Sequence, residues 1–296
     1  MLKKIAVTGA SGQLGQEFYN LQKQFPSFEF LFFNKSEVDI SNLEDLRNLS
    51  EKVSPDYLVN CAAYTAVDKA ETEHDICFEI NTEACKNIAL VFTGTKTKIV
   101  HFSTDYVYHT DSRFPLKEDD DKSPVSVYGK SKLQGENWLR NSGLPVLIIR
   151  SSWIYSPYGH NFLKTIIRLC QEKDNINVVG DQYGAPAYTE DIVFAVMEII
   201  QNYTHNPDLL DTFNQTYNFA PEGIITWYDF ACSINKIVHG KATIHKIPSK
   251  EYPTAASRPY WSVMSRKKIK KNINTDIPHW HASMVKCLNK LGYETS

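Results

Sequence analysis

Along the first 150 residues, short apolar runs alternate with longer segments of helical period. "KKIAVTG" is a β-branched run ending in glycine, and the helical "QEFYNLQKQF" follows it. "FEFLFF" at 28–33 predicts a second buried strand, and "SNLEDLRNLSEKV" a helix with Ser41 as its N-cap. "YLVNCAA" then reads as a strand, 74–93 as a helix, "TKIVHFST" as a strand, 126–141 as a helix and "LPVLIIR" as a strand. Strand–helix alternation at this spacing predicts an α/β fold with a doubly wound parallel sheet. After residue 150 the pattern loosens. Helices are expected at 161–172, 189–201, 226–239 and 280–291, with short strands at "INVVG", "TYNFA" and "ATIHKI". "NYTHNPDLLDTFNQ" reads as loop, and the acidic, proline-containing stretch 109–124 as a surface excursion.

This divides the chain into a dinucleotide-binding domain over 1–150 and a mainly substrate-binding lobe over 151–296, some of whose segments return to the first domain. Ligands of doubly wound sheets bind at the carboxyl ends of the strands, and a C-terminal lobe built there supplies the far wall of a cleft.

Composition narrows the class mainly by exclusion. A formal net charge of −2 over 296 residues points to no polyanionic partner. The densest basic run, "SRKKIKKN" at 265–272, has no interleaved aromatics and reads as the solvated face of a late helix, so no nucleic acid is expected. The six cysteines (61, 77, 85, 170, 232, 287) are scattered without zinc spacing and read as free thiols in a reducing compartment. "MLKKIAVTG" enters a strand almost at once, leaving no room for a signal peptide, and no apolar run reaches the roughly 18–20 residues of a membrane span. A cytoplasmic, soluble protein is expected.

"TGASGQLG" places Gly9, Gly12 and Gly15 after the first strand and at the opening of a helix. Glycines there allow a tight turn and close approach of backbone to a pyrophosphate, and the helix N-terminus offers free N–H groups. With strand before and helix after, this is a Rossmann-type turn, and Ser11, Gln13 and Leu14 join the glycines as cofactor contacts. At the end of the second strand, Asn34 and Lys35 stand where an NAD-preferring site often has a carboxylate. An amide and a cation tolerate a 2′-phosphate, so NADPH is the expected reductant, with NADH open as a second. Asp39 and Ile40 are candidates for the adenine edge; an Asp preceding a helix is equally a structural feature.

Reducing a ketone with a nicotinamide needs a proton donor and a group that polarises the carbonyl. Tyr128 can give the proton if its pKa falls from about 10 towards neutrality. Lys132, four residues on and on the same helical face, is expected to favour the phenolate. "HFSTDYVY" ends a strand with Ser103, Thr104 and Asp105, placing hydroxyls where substrate is expected.

The succession "GxxGQLG", "NCAAYTAVDKAE", "STDYVY", "PVSVYGKSKLQGE", "RSSWIY…GHNF", "VVGDQYGAPAY", "ITWYDFA" and "SRP" resembles the dTDP-4-dehydrorhamnose reductases, within the extended short-chain dehydrogenase/reductases. The resemblance runs nearly the whole length. It implies NAD(P)H-dependent reduction of the C4 keto group of dTDP-4-dehydro-L-rhamnose to give dTDP-L-rhamnose, the last step of that nucleotide-sugar pathway. By it, Tyr128 is the proton donor, Lys132 binds the nicotinamide ribose and tunes the phenol, and Thr104 polarises the keto group. Ala62, Ala63, Tyr64 and Thr65 would line the cofactor, Asp105 would touch the sugar and Trp153 would pack on the hexose, although a core Trp is its alternative reading. Asn161, Gln182 and Arg258 are further substrate candidates, Arg258 for the diphosphate or as a surface Arg.

Two departures stand out. The loop "YHTDSRFPLKEDD" differs from the usual short, glycine-bearing segment, which bears on the rim of the sugar pocket. Some members of the family bind Mg²⁺ through glutamates at a dimer contact. Glu17 and Glu190 fit two of those positions, but Lys290 takes the third, and an ammonium there argues against the metal. No metal is therefore expected, and a homodimer is only the default for a soluble enzyme. Two alternatives stay open: another nucleotide-sugar ketoreductase or epimerase of the superfamily, or a non-catalytic NADP-binding regulatory subunit. A 4,6-dehydratase is disfavoured because Thr104 is followed by Asp105-Tyr106 rather than Asp-Glu.

Overall fold

The computed structural model of the chain describes residues 2–111 and 113–294; Ser112, in the acidic loop, lies outside the described residues. In chain order the first half runs β1 (Lys3–Thr8), α1 (Gln13–Leu21), β2 (Phe28–Phe33), α2 (Leu43–Val53), β3 (Tyr57–Asn60), α3 (Val67–Ala70), α4 (His74–Phe78), α5 (Ala84–Phe92), β4 (Lys98–Thr104), α6 (Val127–Arg140) and β5 (Val146–Ser151). It continues through α7 (Phe162–Glu172), β6 (Asn175–Val179), β7 (Tyr183–Gly184), α8 (Thr189–His205), α9 (Leu210–Phe213), β8 (Thr216–Phe219), β9 (Ile225–Thr226), α10 (Trp227–Ile237), β10 (Thr243–Ile247) and α11 (Trp280–Lys290).

Six strands form one parallel sheet in the order β2-β1-β3-β4-β5-β8. The period of two decides which layer each side chain joins. Ile5, Val7, Tyr57, Val59, Val100, Phe102, Leu147 and Ile149 point to the face covered by α1 and α8. Ala6, Leu58, Ile99, Val146 and Ile148 point to the opposite face, under α2, α5 and α6. Both faces are covered, which is why the strands read as nearly continuous apolar runs. A separate core joins α7, β6, α10 and α11. Two small sheets, parallel β6–β10 and antiparallel β7–β9, belong to this part of the molecule.

Four local expectations are corrected. Ser41 does not cap α2: its N–H and hydroxyl both donate to Asp39 Oδ1, and Asn42 accepts from the N–H groups of Glu44 and Asp45 instead. Such a cap contributes about 1 kcal/mol. The helix expected over 74–93 is divided into α4 and α5 by a π-helical turn, Glu79–Glu83. The stretch expected to be loop holds the end of α8, a 3₁₀ turn at Pro207–Leu209 and α9. Finally, 265–272 is no helix face: it contains one 3₁₀ turn, Ile269–Lys271, whose Ile269 is buried while Arg266 and Lys270 reach Pro221 O and Glu222.

Candidate active site

At the turn between β1 and α1, Gly9 has φ +68°, and a Cβ there would stand 2.5 Å from Ala62 N at the end of β3. A Cβ on Gly15 would lie 2.5 Å from Gly9 O. Both positions therefore require glycine, the first for its conformation as well as for space. Helix α1 starts without a side-chain cap, so its first-turn N–H groups have no intrahelical partner, and Gly12, Gln13 and Leu14 line a cleft of about 920 Å³. Glycines, uncapped helix start and cleft together fit a dinucleotide's phosphates.

The remaining cofactor candidates are placed as follows. Ser11 lies in the turn, its carbonyl accepting from Gln16 Nε2. Ala10 N donates to Phe33 O, which brings the turn beside Asn34. Lys35 is exposed and 3.5 Å from Asp39 Oδ2. Burial would raise the Asp39 carboxyl, but Ser41 and Lys35 outweigh it and hold it below the usual value. Ile40 is buried in the core beside α2 and α5, with its side chain spent on packing. Ala63 and Thr65 line the cleft; Ala62 N donates to Asn60 Oδ1, and the Tyr64 hydroxyl donates to Glu73 Oε2.

Thr104 ends β4, Asp105 opens the 3₁₀ turn that follows, and Tyr128 rises from the first turn of α6, whose cap is Ser126 accepting from Gly129 N. All three line the cleft with Tyr106, whose ring meets that of Tyr128 edge-on. The Thr104 hydroxyl donates to Asp105 Oδ1 at 3.0 Å. Asp105 Oδ2 and Ser151 Oγ are buried on the cleft wall and have no hydrogen-bond partner among the described residues. Burial pushes the Asp105 carboxyl up to about 6, against the hydroxyls of Ser262 and Thr104.

The expected lowering of Tyr128 is not what this arrangement produces. Burial raises the phenol well above its ordinary value, opposed by the Thr104 hydroxyl. Lys132 supplies no counter-charge to it, because its Nζ donates to Phe102 O at 2.7 Å and lies 3.3 Å from His101 Nε2. Lys132 itself is lowered by burial, against Cys85, Glu136 and Cys77.

Trp153 sits at φ +51° and stacks on Trp227 with ring centroids 3.7 Å apart, facing the cleft. Gln182 lines the same wall and donates to Ser249 Oγ. Asn161 caps α7 by accepting from Lys164 N, while its Nδ2 donates to Gln13 Oε1 at 2.9 Å. Its polar atoms are committed to the scaffold. Arg258 also reaches the cleft, but its guanidinium is forked onto Asp68, 3.0 and 2.6 Å to the two carboxylate oxygens.

Glu17, Glu190 and Lys290 come together away from the cleft residues, with the ammonium between the two carboxylates, 3.5 Å from Glu17 Oε1 and in direct contact with Glu190. Lys286 also pairs with Glu190, and Thr189 donates to Glu17. Burial raises Glu17, whereas Lys286 and Lys290 overcome the burial of Glu190 and lower it. These residues do not fit a divalent cation: a fixed ammonium stands where a third oxygen donor would have to be.

The sequence reading overlooked Asn81, which sits in the π-turn and binds both Tyr64 N and O and Ser131 Oγ, tying the 62–65 segment to α6. Nothing in "EINTEA" marks it. It also overlooked Trp227 and Phe162, whose rings extend the aromatic wall begun by Trp153.

A family model described as RmlD substrate binding domain matches residues 3–293. The chain belongs to this family. It is 35% identical to the spore coat polysaccharide biosynthesis protein SpsK of Bacillus subtilis, over 91% of this chain and 92% of that protein. It is 32% identical to a dTDP-4-dehydrorhamnose reductase of Aggregatibacter actinomycetemcomitans, over 96% of this chain and 97% of that protein. Among solved structures, a Bacillus anthracis dTDP-4-dehydrorhamnose reductase in complex with NADP superposes with a TM-score of 0.89 at 32% identity, covering 98% of this chain and all of that one. This RmlD-family chain thus shares its fold with a reductase solved in complex with NADP.

Proposed function

We propose that the protein is an NADPH-dependent reductase acting on the C4 keto group of dTDP-4-dehydro-L-rhamnose to give dTDP-L-rhamnose. The observation that carries this reading is the meeting of Thr104 and Tyr128 on one cleft wall that runs back to the glycine turn. The near full-length similarity to dTDP-4-dehydrorhamnose reductases supports the substrate. When bound, the nicotinamide supplies a hydride, and the turn residues 9–15 with Asn34, Lys35 and 62–65 are the groups that would hold the cofactor.

The chain's own part is to polarise and protonate. Tyr128, a phenol kept protonated by its burial, gives its proton to the oxygen of the reduced carbonyl. Thr104 turns its hydroxyl from Asp105 to that oxygen, and protonation of Asp105 below about pH 6 releases it for this. Trp153 and Trp227 present a ring surface for the sugar nucleotide, with Asp105 and Gln182 as polar contacts; Asn161 and Arg258 act there through Gln13 and Asp68. A cytoplasmic location, a homodimer and the division into 1–150 and 151–296 belong to the same reading. Among the described residues, no helix is long and apolar enough to cross a membrane.

The test is NADPH oxidation with dTDP-4-dehydrorhamnose and identification of the product. Tyr128→Phe should lower kcat by about 10²–10⁴-fold with NADPH binding kept. An unchanged kcat would remove Tyr128 from its role, and cofactor binding without turnover in the wild type would favour a regulatory subunit.

A further inference from the structure

Beneath the cleft, three polar side chains stand in one cross-strand row on the α5–α6 face of the sheet. Thr8 of β1 is in register with Asn60 of β3, and Asn60 with His101 of β4. The row ends at Lys132 of α6, and Asn60, His101 and Lys132 are each only 1% exposed. Four buried polar groups carry a desolvation cost unless their hydrogen bonds match.

Their directions can be worked out from the fixed end. Ala62 N–H is only a donor and lies 3.1 Å from Asn60 Oδ1, so the Asn60 amide cannot be turned the other way. Thr8 Oγ1 donates to the same oxygen at 3.0 Å. Asn60 Nδ2 therefore points its N–H at His101 Nδ1, 3.3 Å away, which must accept. Burial keeps the imidazole from taking a second proton, so its single N–H is on Nε2. That N–H faces Lys132 Nζ at 3.3 Å. An ammonium there would set donor against donor; a neutral amine accepts from Nε2–H and still donates to Phe102 O.

We propose that His101 is a positioning residue, oriented by Asn60, that favours the neutral amine of Lys132 and so sets the pH above which the reductase loses the ammonium that Lys132 would offer a bound nicotinamide ribose. The remaining ionisable neighbours favour the ammonium, but burial outweighs them. Cys85 of α5 lies 4.0 Å from both imidazole nitrogens and is held as a thiol by burial, up to about 11. Cys77 of α4 is likewise raised by burial and sits on Ser131. Glu136, one turn along α6, gives both its oxygens to Arg150.

The role rests on the reductase reading for its kinetic consequence, but its structural core does not. In wild-type protein, long-range ¹H–¹⁵N NMR should show His101 with the proton on Nε2; a proton on Nδ1 overturns the proposal whether or not the protein turns over any substrate. In His101→Gln a carbonyl oxygen can face Nζ, and in Asn60→Asp an added acceptor draws the imidazole proton to Nδ1 and frees Nε2 to accept. Both should move the alkaline limb of kcat/KM upward by roughly one pH unit, the scale of one hydrogen bond. Folded His101→Gln that binds NADPH and keeps the wild-type limb overturns it as well. Absence of turnover in the wild type would instead count against the reductase reading, leaving the tautomer to decide this one.

Discussion

Lys132 and Lys290 are both drawn into the protein, and their surroundings are opposite. Around Lys132 the partners are a carbonyl, an imidazole and two thiols, so burial dominates and lowers it. Around Lys290 burial also acts downward, but Glu190 and Glu17 outweigh it and raise it. One lysine is left able to change charge beside the cleft. The other is locked as a cation between two acids. The contrast shows that depth alone does not set a lysine's behaviour; the carboxylates within reach do.

The most severe way to break the comparison is to remove both charges. Lys132→Met should cost about 10²-fold or more in kcat/KM, with the unfolding midpoint unchanged or raised because the cost of burying the charge is gone. Lys290→Met should do the reverse: turnover kept, and stability to urea lower by about 1–3 kcal/mol. That is below the cost of breaking a fully buried pair, because Lys290 is 36% exposed.

A divalent cation sharpens the same point. Tm of the wild type should be indifferent to Mg²⁺ and to chelator, whereas Lys290→Glu should show a Tm that rises with Mg²⁺. A wild type stabilised by Mg²⁺ would contradict the placement of Lys290. The pH dependence separates the two lysines by sign. Lys290, raised in the folded state, contributes stability that is present below the ordinary lysine value of about 10.4 and is lost as pH climbs through its folded value. Lys132, lowered, costs stability below its folded value, and the cost is relieved as pH rises towards the ordinary one. Urea unfolding of the two Met variants against pH reads both slopes. The smallest effect belongs to Lys35, a third lysine, exposed and paired with Asp39. Lys35→Met should leave the midpoint alone and lower the NADPH-over-NADH ratio of kcat/KM several-fold.

What could be read from the sequence was what depends on local period and local chemistry. The short apolar run Ile5, Ala6 and Val7 marks a strand whatever it pairs with, and Gly9 and Gly15 sit where only glycine fits. Tyr128 and Thr104 were likewise found in line with their elements. What escaped depends on partners distant in the chain. "TYNFA" is a strand by composition, but nothing in it says that it closes the edge of the main sheet beside β5. Asn42 rather than Ser41 caps α2 because Asp39 claims Ser41 first. His101 did leave a signal, a polar residue inside "KIVHFST", whose meaning needed Asn60 and Lys132 beside it. The direction of the Tyr128 shift was missed because helical spacing gives proximity of backbones, while Lys132 spends its ammonium position on β4.

Gln13 accepts from both Ser156 Oγ and Asn161 Nδ2, so the first residue of α1 is fastened to the cap of α7. The consequence is mechanical: a motion that carries the start of α7 away from the cleft must either break these two hydrogen bonds or drag the start of α1, and the glycine turn before it, along with it.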